Sequence, residues 1–264
     1  MTAIVICGAA GRMGRLLVQL VLEEPRAKLA GAVEAPGHPA LGRDAGEVAG
    51  LAAAGVPLVD AYAPPADSVT LDFTAPAAAL RHIEIAAAAG AAIVVGTTGF
   101  TPEERTRAEA TAARTRAIIA PNMSVGVAVL DRLVESAVAA LGPAFDVEIV
   151  EIHHRLKRDA PSGTALRLAE VAAAAQGSPL HGRTTFGREG QPGPRKPREL
   201  GVLAVRGGDV VGDHTVYFLG AGERLELTHR AQSRECLARG GLRAALWLVG
   251  QKPGLYGMRD VLSL

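Results

Sequence analysis

The sequence predicts an α/β fold, a Rossmann-like doubly wound parallel sheet plus a second α+β domain with a mixed or antiparallel sheet. Three observations carry this expectation. Short apolar runs alternate with helical segments as far as Asn122, a glycine-rich turn stands between the first run and the first helix, and beyond Asn122 the strands follow one another closely.

The first strand is expected over residues 3–7, where AIVIC is apolar throughout. The first helix is expected over 12–24, with Met13, Leu16, Leu17, Leu20 and Val21 on one stripe. Further strands are expected over 29–33, 69–73, 91–95 and 117–120, with helices over 77–89 and 102–114 between the later ones. The second domain is expected to open with a helix over 126–141, a strand over 146–152 and a helix over 164–175. Strands over 200–206, 215–219 and 224–230 have the short spacing of antiparallel neighbours. An apolar-periodic helix over 235–250 is expected to return to the first domain. The expected domains are therefore 1–123 with 234–264, and 124–233. Residues 177–197, rich in Gly, Pro and Arg, read as a long loop: a solvated connection, or an active-site lid or subunit-contact arm.

Composition narrows the function classes. A net charge of +1 gives no basic field, so nucleic acid is not an expected partner. The first apolar run is far shorter than the roughly 20 residues that span a bilayer, and later alanine-rich stretches are broken by charges, Gly or Pro, so no membrane partner is expected. Cys7 and Cys236, far apart in sequence, suit a reducing compartment, and a cytoplasmic location is expected. Only four of the 28 Lys and Arg residues are lysines. Lys157 is one of them, and a lysine can release a proton where an arginine cannot.

Gly8, Ala9, Ala10, Gly11, Arg12 and Met13, with Gly14 closing a GxxGxxG spacing, follow the first strand and open the first helix, the context of a dinucleotide-binding turn. Small residues let the backbone approach a pyrophosphate, and the helix N-terminus supplies N–H donors. Glu34 ends the second strand 20 residues after Gly14, where a carboxylate can accept from a ribose 2′-OH. Gly96, Thr97 and Thr98, and Ala120, Pro121, Asn122 and Met123, follow later strands and are expected near the nicotinamide half of the cofactor. Asp72-Phe73-Thr74 also ends a strand; it either orients the cofactor or caps the helix after Pro76.

The most informative stretch is EIHHRLKRDAPSGTA, residues 151–165. His153 and His154 titrate near neutral pH, Lys157 is a cation with three donors, and Ser162, Gly163 and Thr164 offer hydroxyls and N–H groups at an expected helix start. This combination suits a small anionic substrate that must be protonated. A metal centre on His153, His154 and Asp159 is not expected, because adjacent strand side chains diverge and no further ligand cluster accompanies them.

Taken in order, GAAGRMG, DFT, GTTGF, APNMSVGV, HHRLKRDAPSGTA, GGDVVGDHTV and ERLELTHRAQSR resemble the dihydrodipicolinate (4-hydroxy-tetrahydrodipicolinate) reductases of bacterial lysine and diaminopimelate synthesis, over nearly the whole chain. The resemblance implies NAD(P)H-dependent reduction of a dicarboxylate to tetrahydrodipicolinate by a two-domain subunit of a homotetramer. It implies that His153 donates or accepts a proton, that Lys157 is the other proton donor, and that His154, Gly163 and Thr164 hold carboxylates. Family members that favour NADPH carry an arginine directly after the acidic residue, whereas Glu34 is followed by Ala35. Arg12 partly substitutes, and NADH is expected to serve at least as well as NADPH. Two other readings stay open: another two-domain NAD(P)-dependent dehydrogenase acting on a small carboxylate, and a non-catalytic dinucleotide-sensing protein.

Overall fold

A computed structural model describes residues 1–264. The chain forms two compact units, Met1–Val125 with Glu235–Leu264, and Gly126–Arg234.

In the first unit the elements run β1 Thr2–Cys7, α1 Arg12–Glu23, β2 Ala27–Val33, α2 Ala45–Val48, β3 Leu58–Val59, β4 Val69–Asp72, α3 Pro76–Ala89, β5 Ala92–Val95, α4 Pro102–Ala112 and β6 Arg116–Ile119. Local chemistry sets several boundaries. Pro76 opens α3, and Gly90 closes it in the left-handed conformation at φ 69°. Thr101 and Glu104 cap α4 reciprocally around Pro102. β4 and β5 are buried at every position, as parallel strands covered on both faces must be.

The sheet order is β12-β6-β5-β4-β1-β2-β3, with every pairing parallel. The order reverses at β1 and β4, so the carboxyl ends of these two strands mark the place where a doubly wound sheet takes its ligand. The outermost strands, β3 and β12 (Gly254–Tyr256), were not anticipated, since two and three residues carry no readable period. α7 (Glu235–Leu248) and α8 (Met258–Leu262) flank β12, whose pairing with β6 fixes this last segment to the first unit.

The second unit contains α5 Val125–Leu141 (all but its first residue), β7 Asp146–His153, α6 Gly163–Ala175, β8 Thr184–Thr185, β9 Leu200–Arg206, β10 Gly212–Leu219 and β11 Arg224–Ala231. Its sheet order is β11-β10-β7-β9-β8. One expectation is corrected here: β9 is not a neighbour of β10, because β7 lies between them, and β9 pairs with β7 in parallel. The chain reaches β9 only after α6 and the long arm, and a crossover of this length returns a strand in parallel. β10 and β11 are antiparallel neighbours, and β10 is antiparallel to β7.

Val147 and Ile149 of β7, Leu200 and Val202 of β9, and Val216 and Phe218 of β10 build a core with α5 and α6. The arm over 177–197 is moored to this sheet. Arg188 pairs with Glu148 and Glu199, and Arg195 with Asp146 and Glu148. Glu148 lies over Gly201, where a Cβ would stand 1.7 Å from its Oε2, so a side chain here would displace the Glu148 carboxylate from its arginines.

Candidate active site

In the first unit, β1 ends at Cys7 and Gly8 turns the chain at φ +73°, its N–H donating to Val33 O at 2.8 Å. α1 then starts hard against the turn. A Cβ on Gly14 would lie 2.0 Å from Gly8 O, so only glycine permits this approach. Gly11 is the N-cap and no side chain caps the helix. Ala9 and Ala10 are buried, and what the turn offers an anion is backbone N–H and the positive end of α1. Arg12 is exposed and Met13 half-buried at the start of the helix. Glu34 leaves β2 beside this turn: its Oε2 accepts from Ala10 N–H at 3.0 Å and its Oε1 from Ala35 N–H at 2.9 Å.

Asp72, fully buried at the end of β4, does not cap α3, whose N-cap Ala75 has no side-chain bond. Instead its Oδ1 accepts from Thr74 N–H at 2.9 Å, Thr74 Oγ1 at 2.7 Å and Thr97 Oγ1 at 3.3 Å, while His82 Nδ1 lies 2.6 Å from Oδ2. One carboxylate thereby ties the loop after β4 to the loop after β5. Gly96 is required by packing, since a Cβ there would stand 2.1 Å from the Phe73 ring. Thr98 is exposed beyond it. After β6, Ala120 N–H donates to Val95 O, Pro121 is exposed, and Asn122 Oδ1 accepts from Ser124 N–H. Met123 is buried and its carbonyl packs against Gly240 of the closing helix, so the structure does not present it to a ligand. Cys7, Asp72 and His82 have donor atoms within 4.8 Å of one another. Burial, with the Asp72 and Glu34 charges, pushes the Cys7 thiol up.

The second unit's sheet changes character along its covered face. Val147, Ile149, Glu151 and His153 alternate into that face from β7. Phe218, Val216, His214 and Gly212 do the same from β10, in register opposite them. Two apolar rows are thus followed by a buried polar row, Glu151 with His214, and then by His153 beside Gly212. The α6 N-terminus closes this polar end: Ser162 is its N-cap, accepting from Ala165 N–H at 3.2 Å, and its Oγ lies 3.1 Å from His214 Nε2. Its hydroxyl is therefore engaged within the fold. Gly163 is exposed with open space around its Cα, and Thr164 follows on the first turn.

Glu151 is the hub. It accepts from both Nη atoms of Arg206 at 2.7 Å and from Ser162 N–H at 3.0 Å, and His153 Nδ1 lies 2.5 Å from its Oε2. His154 has left the strand: its N–H donates to Val210 O, and its Nδ1 accepts from Leu156 N–H. Lys157 Nζ pairs with Asp159 Oδ1 at 2.9 Å, and Arg206 holds the Asp159 carbonyl at 2.7 Å. The expected residues His153, His154, Lys157, Ser162, Gly163 and Thr164 all belong to this one strand-end, loop and helix start.

The electrostatics are mixed by design of the neighbours. Burial opposes ionisation of Glu151, but hydrogen bonds from Arg206 and His153 outweigh it and hold the carboxyl below its usual range. Burial lowers the pKa of His153, the Lys157 and Arg206 charges add to that, and Glu151 offsets only part. Burial and the neighbouring His153 push His214 down to about 4. Burial thus disfavours the charged forms of His153 and His214, while Lys157 lies against a carboxylate.

Family models match the whole of this architecture: dihydrodipicolinate reductase, N-terminus, over residues 2–123, and dihydrodipicolinate reductase, C-terminus, over 126–262. The chain belongs to the dihydrodipicolinate reductase family. Among its relatives, the 4-hydroxy-tetrahydrodipicolinate reductase of Anaeromyxobacter dehalogenans (strain 2CP-C) is 52% identical over 100% of this chain and 98% of its own. That of Citrifermentans bemidjiense is 51% identical over the full length of both. Among solved structures, dipicolinate-bound dihydrodipicolinate reductase from Paenisporosarcina sp. TG-14 shares the fold with TM-score 0.73 at 24% identity, over 98% of each chain.

At this strand end the sequence did not single out Glu151, Arg206 and His214, which the structure brings beside His153. Glu151 carried a signal, since it shares strand parity with His153 and with the apolar Val147 and Ile149. Arg206 and His214 come from strands whose register no local pattern discloses.

Proposed function

We propose that this chain is an NAD(P)H-dependent oxidoreductase that reduces 4-hydroxy-tetrahydrodipicolinate to tetrahydrodipicolinate, with a hydride and a proton added and the 4-hydroxyl lost as water, in lysine and diaminopimelate biosynthesis. The observation that carries the reading is the Glu151-buttressed His153 beside Lys157 and the α6 N-terminus, in a chain about half identical to reductases of that name. A small dicarboxylate suits the α6 N-terminus, where Gly163 lies exposed after the Ser162 cap, and a nearby ammonium.

The first unit fits a nicotinamide dinucleotide. Gly14 lets the α1 start press against the glycine turn, and the α1 N-terminus has no side-chain cap, so its backbone N–H groups are available to a pyrophosphate. Bound there, the cofactor supplies the hydride. Gly8 to Met13 would hold the pyrophosphate, Glu34 the ribose, and the loops 96–98 and 120–122 the nicotinamide half.

The second unit's residues handle the substrate and its protons. Gly163, Thr164 and His154 hold the carboxylates, with Ser162 contributing through the cap that shapes this turn. Hydride addition leaves electron density on the ring system, which a positioned acid must quench. Lys157 leaves Asp159 to give its proton to the substrate, and His153 accepts or passes one at Nε2. A dicarboxylate beside these groups favours their charged forms, so substrate binding itself restores protons to the site.

NADH is expected to serve at least as well as NADPH, because Ala35 follows Glu34 where an arginine would pair with a 2′-phosphate. Steady-state kcat/KM for the two cofactors checks this, and a large NADPH preference counts against it. Homotetrameric assembly is supported by the second sheet's uncovered face, where Val205 is exposed, and solution mass measures it. The functional test mixes protein and NADH with freshly condensed pyruvate and aspartate semialdehyde. Nicotinamide absorbance should fall; cofactor binding without consumption would point to the sensing reading instead.

A further inference from the structure

Glu151 sits in the proton-transfer region without a surface of its own. It is wholly buried, and its two oxygens already meet Arg206 twice, the Ser162 N–H and His153 Nδ1. Four partners fill the acceptor capacity of a carboxylate, so none is left for a substrate. We infer that Glu151 is the positioning residue of this site, fixing His153 with Nδ1–H turned inward so that Nε2 is the nitrogen presented for proton transfer, and tying that ring to the α6 anion-binding turn. The inference rests on the proposed function of the same site.

Three features support it. Arg206 meets Glu151 through both Nη atoms, which makes the carboxylate a poor proton acceptor; the proton between His153 and Glu151 therefore stays on Nδ1. Gly212 faces the opposite edge of the ring, where a Cβ would lie 2.9 Å from Nε2, so the ring is confined on both sides and the Nε2 side is kept clear of a side chain. Arg206 also holds the Asp159 carbonyl, so the same ion pair anchors the loop that carries Lys157. The charged and titratable groups facing His153 are Glu151 on its own strand, Arg206 from β9, His214 from β10, and Lys157 from the loop after β7.

The test is Glu151→Gln in the full chain, with histidine tautomers read by ¹⁵N NMR and turnover read against pH. The wild type should show a neutral Nδ1–H His153 with a strongly deshielded proton, and the variant should lose that signal. In the variant kcat should fall roughly 10-fold or more, with KM for the dinucleotide unchanged. The pH limb set by His153 should move to lower pH, because a negative charge beside the ring is gone. Glu151→Asp, which keeps the charge, should restore part of that shift. A folded Glu151→Gln protein with the wild-type tautomer and pH profile overturns the inference. Should that variant fail to fold with Arg206 left unpaired, Glu151→Asp keeps the charge but draws the carboxylate back from Nδ1. It should weaken the same Nδ1 signal, and an unchanged signal again overturns the inference. The NMR readout needs no substrate, so it stands or falls separately from the assigned reaction.

Discussion

His214 illustrates how a single buried side chain gives this fold a pH limit. It lies between Glu151 and the Ser162 hydroxyl at 4% exposure, and its pKa is pushed from 6.5 down to about 4, chiefly by burial. Below about pH 6.5 the unfolded chain takes up a proton that the folded chain refuses, so stability falls as pH drops and levels off near pH 4. The shift corresponds to a loss of up to roughly 3 kcal/mol across that window. Glu151 acts in the same direction at lower pH, because its depressed pKa stabilises the fold only while it remains ionised. Thermal melts of wild type and His214→Asn between pH 7 and 4 should therefore diverge, with the variant's curve flatter (estimated from the same linkage). Parallel curves would show that His214 is not the group responsible.

Elements place these side chains by very close approaches. α1 can start beside β1 only because Gly14 has no side chain, and Gly14→Ala would force Gly8 O and the turn to move. A loss of roughly 1–3 kcal/mol is expected, the usual cost of overpacking, together with weaker NADH binding by titration. Unchanged affinity would show that the turn does not cradle the cofactor. Much at this scale was legible in the sequence. The parallel strands announced themselves as uninterrupted apolar runs, and the glycine turn stood between a strand and a helix as its spacing required. Other parts were not. β9 looked like an antiparallel neighbour because sequence spacing cannot tell a hairpin from a strand delivered by a moored arm. Arg188 and Arg195 held that mooring, yet their partner Glu148 lies 40 and 47 residues away. The candidate site divided similarly: the contiguous run from His153 to Thr164 was visible, whereas Asp72's ties to Thr97 and His82 and Arg206's grip on Glu151 exist only after the strands pair.

At the scale of the whole molecule the proposed function divides the labour between the two units: cofactor binding at the glycine turn with Glu34 in one, and proton transfer and anion binding at the β7 end and α6 start in the other. Such a division makes cofactor binding and proton delivery separable by mutation. Lys157 pairs with the exposed Asp159 and lies outside the buried core, so its removal should leave the fold intact. The most direct test compares wild type with Lys157→Ala for NADH affinity and for turnover of the freshly condensed substrate. NADH binding should be unchanged while kcat falls by roughly 10²-fold or more, the scale of a lost general acid. Near-native turnover in the folded variant would contradict the account.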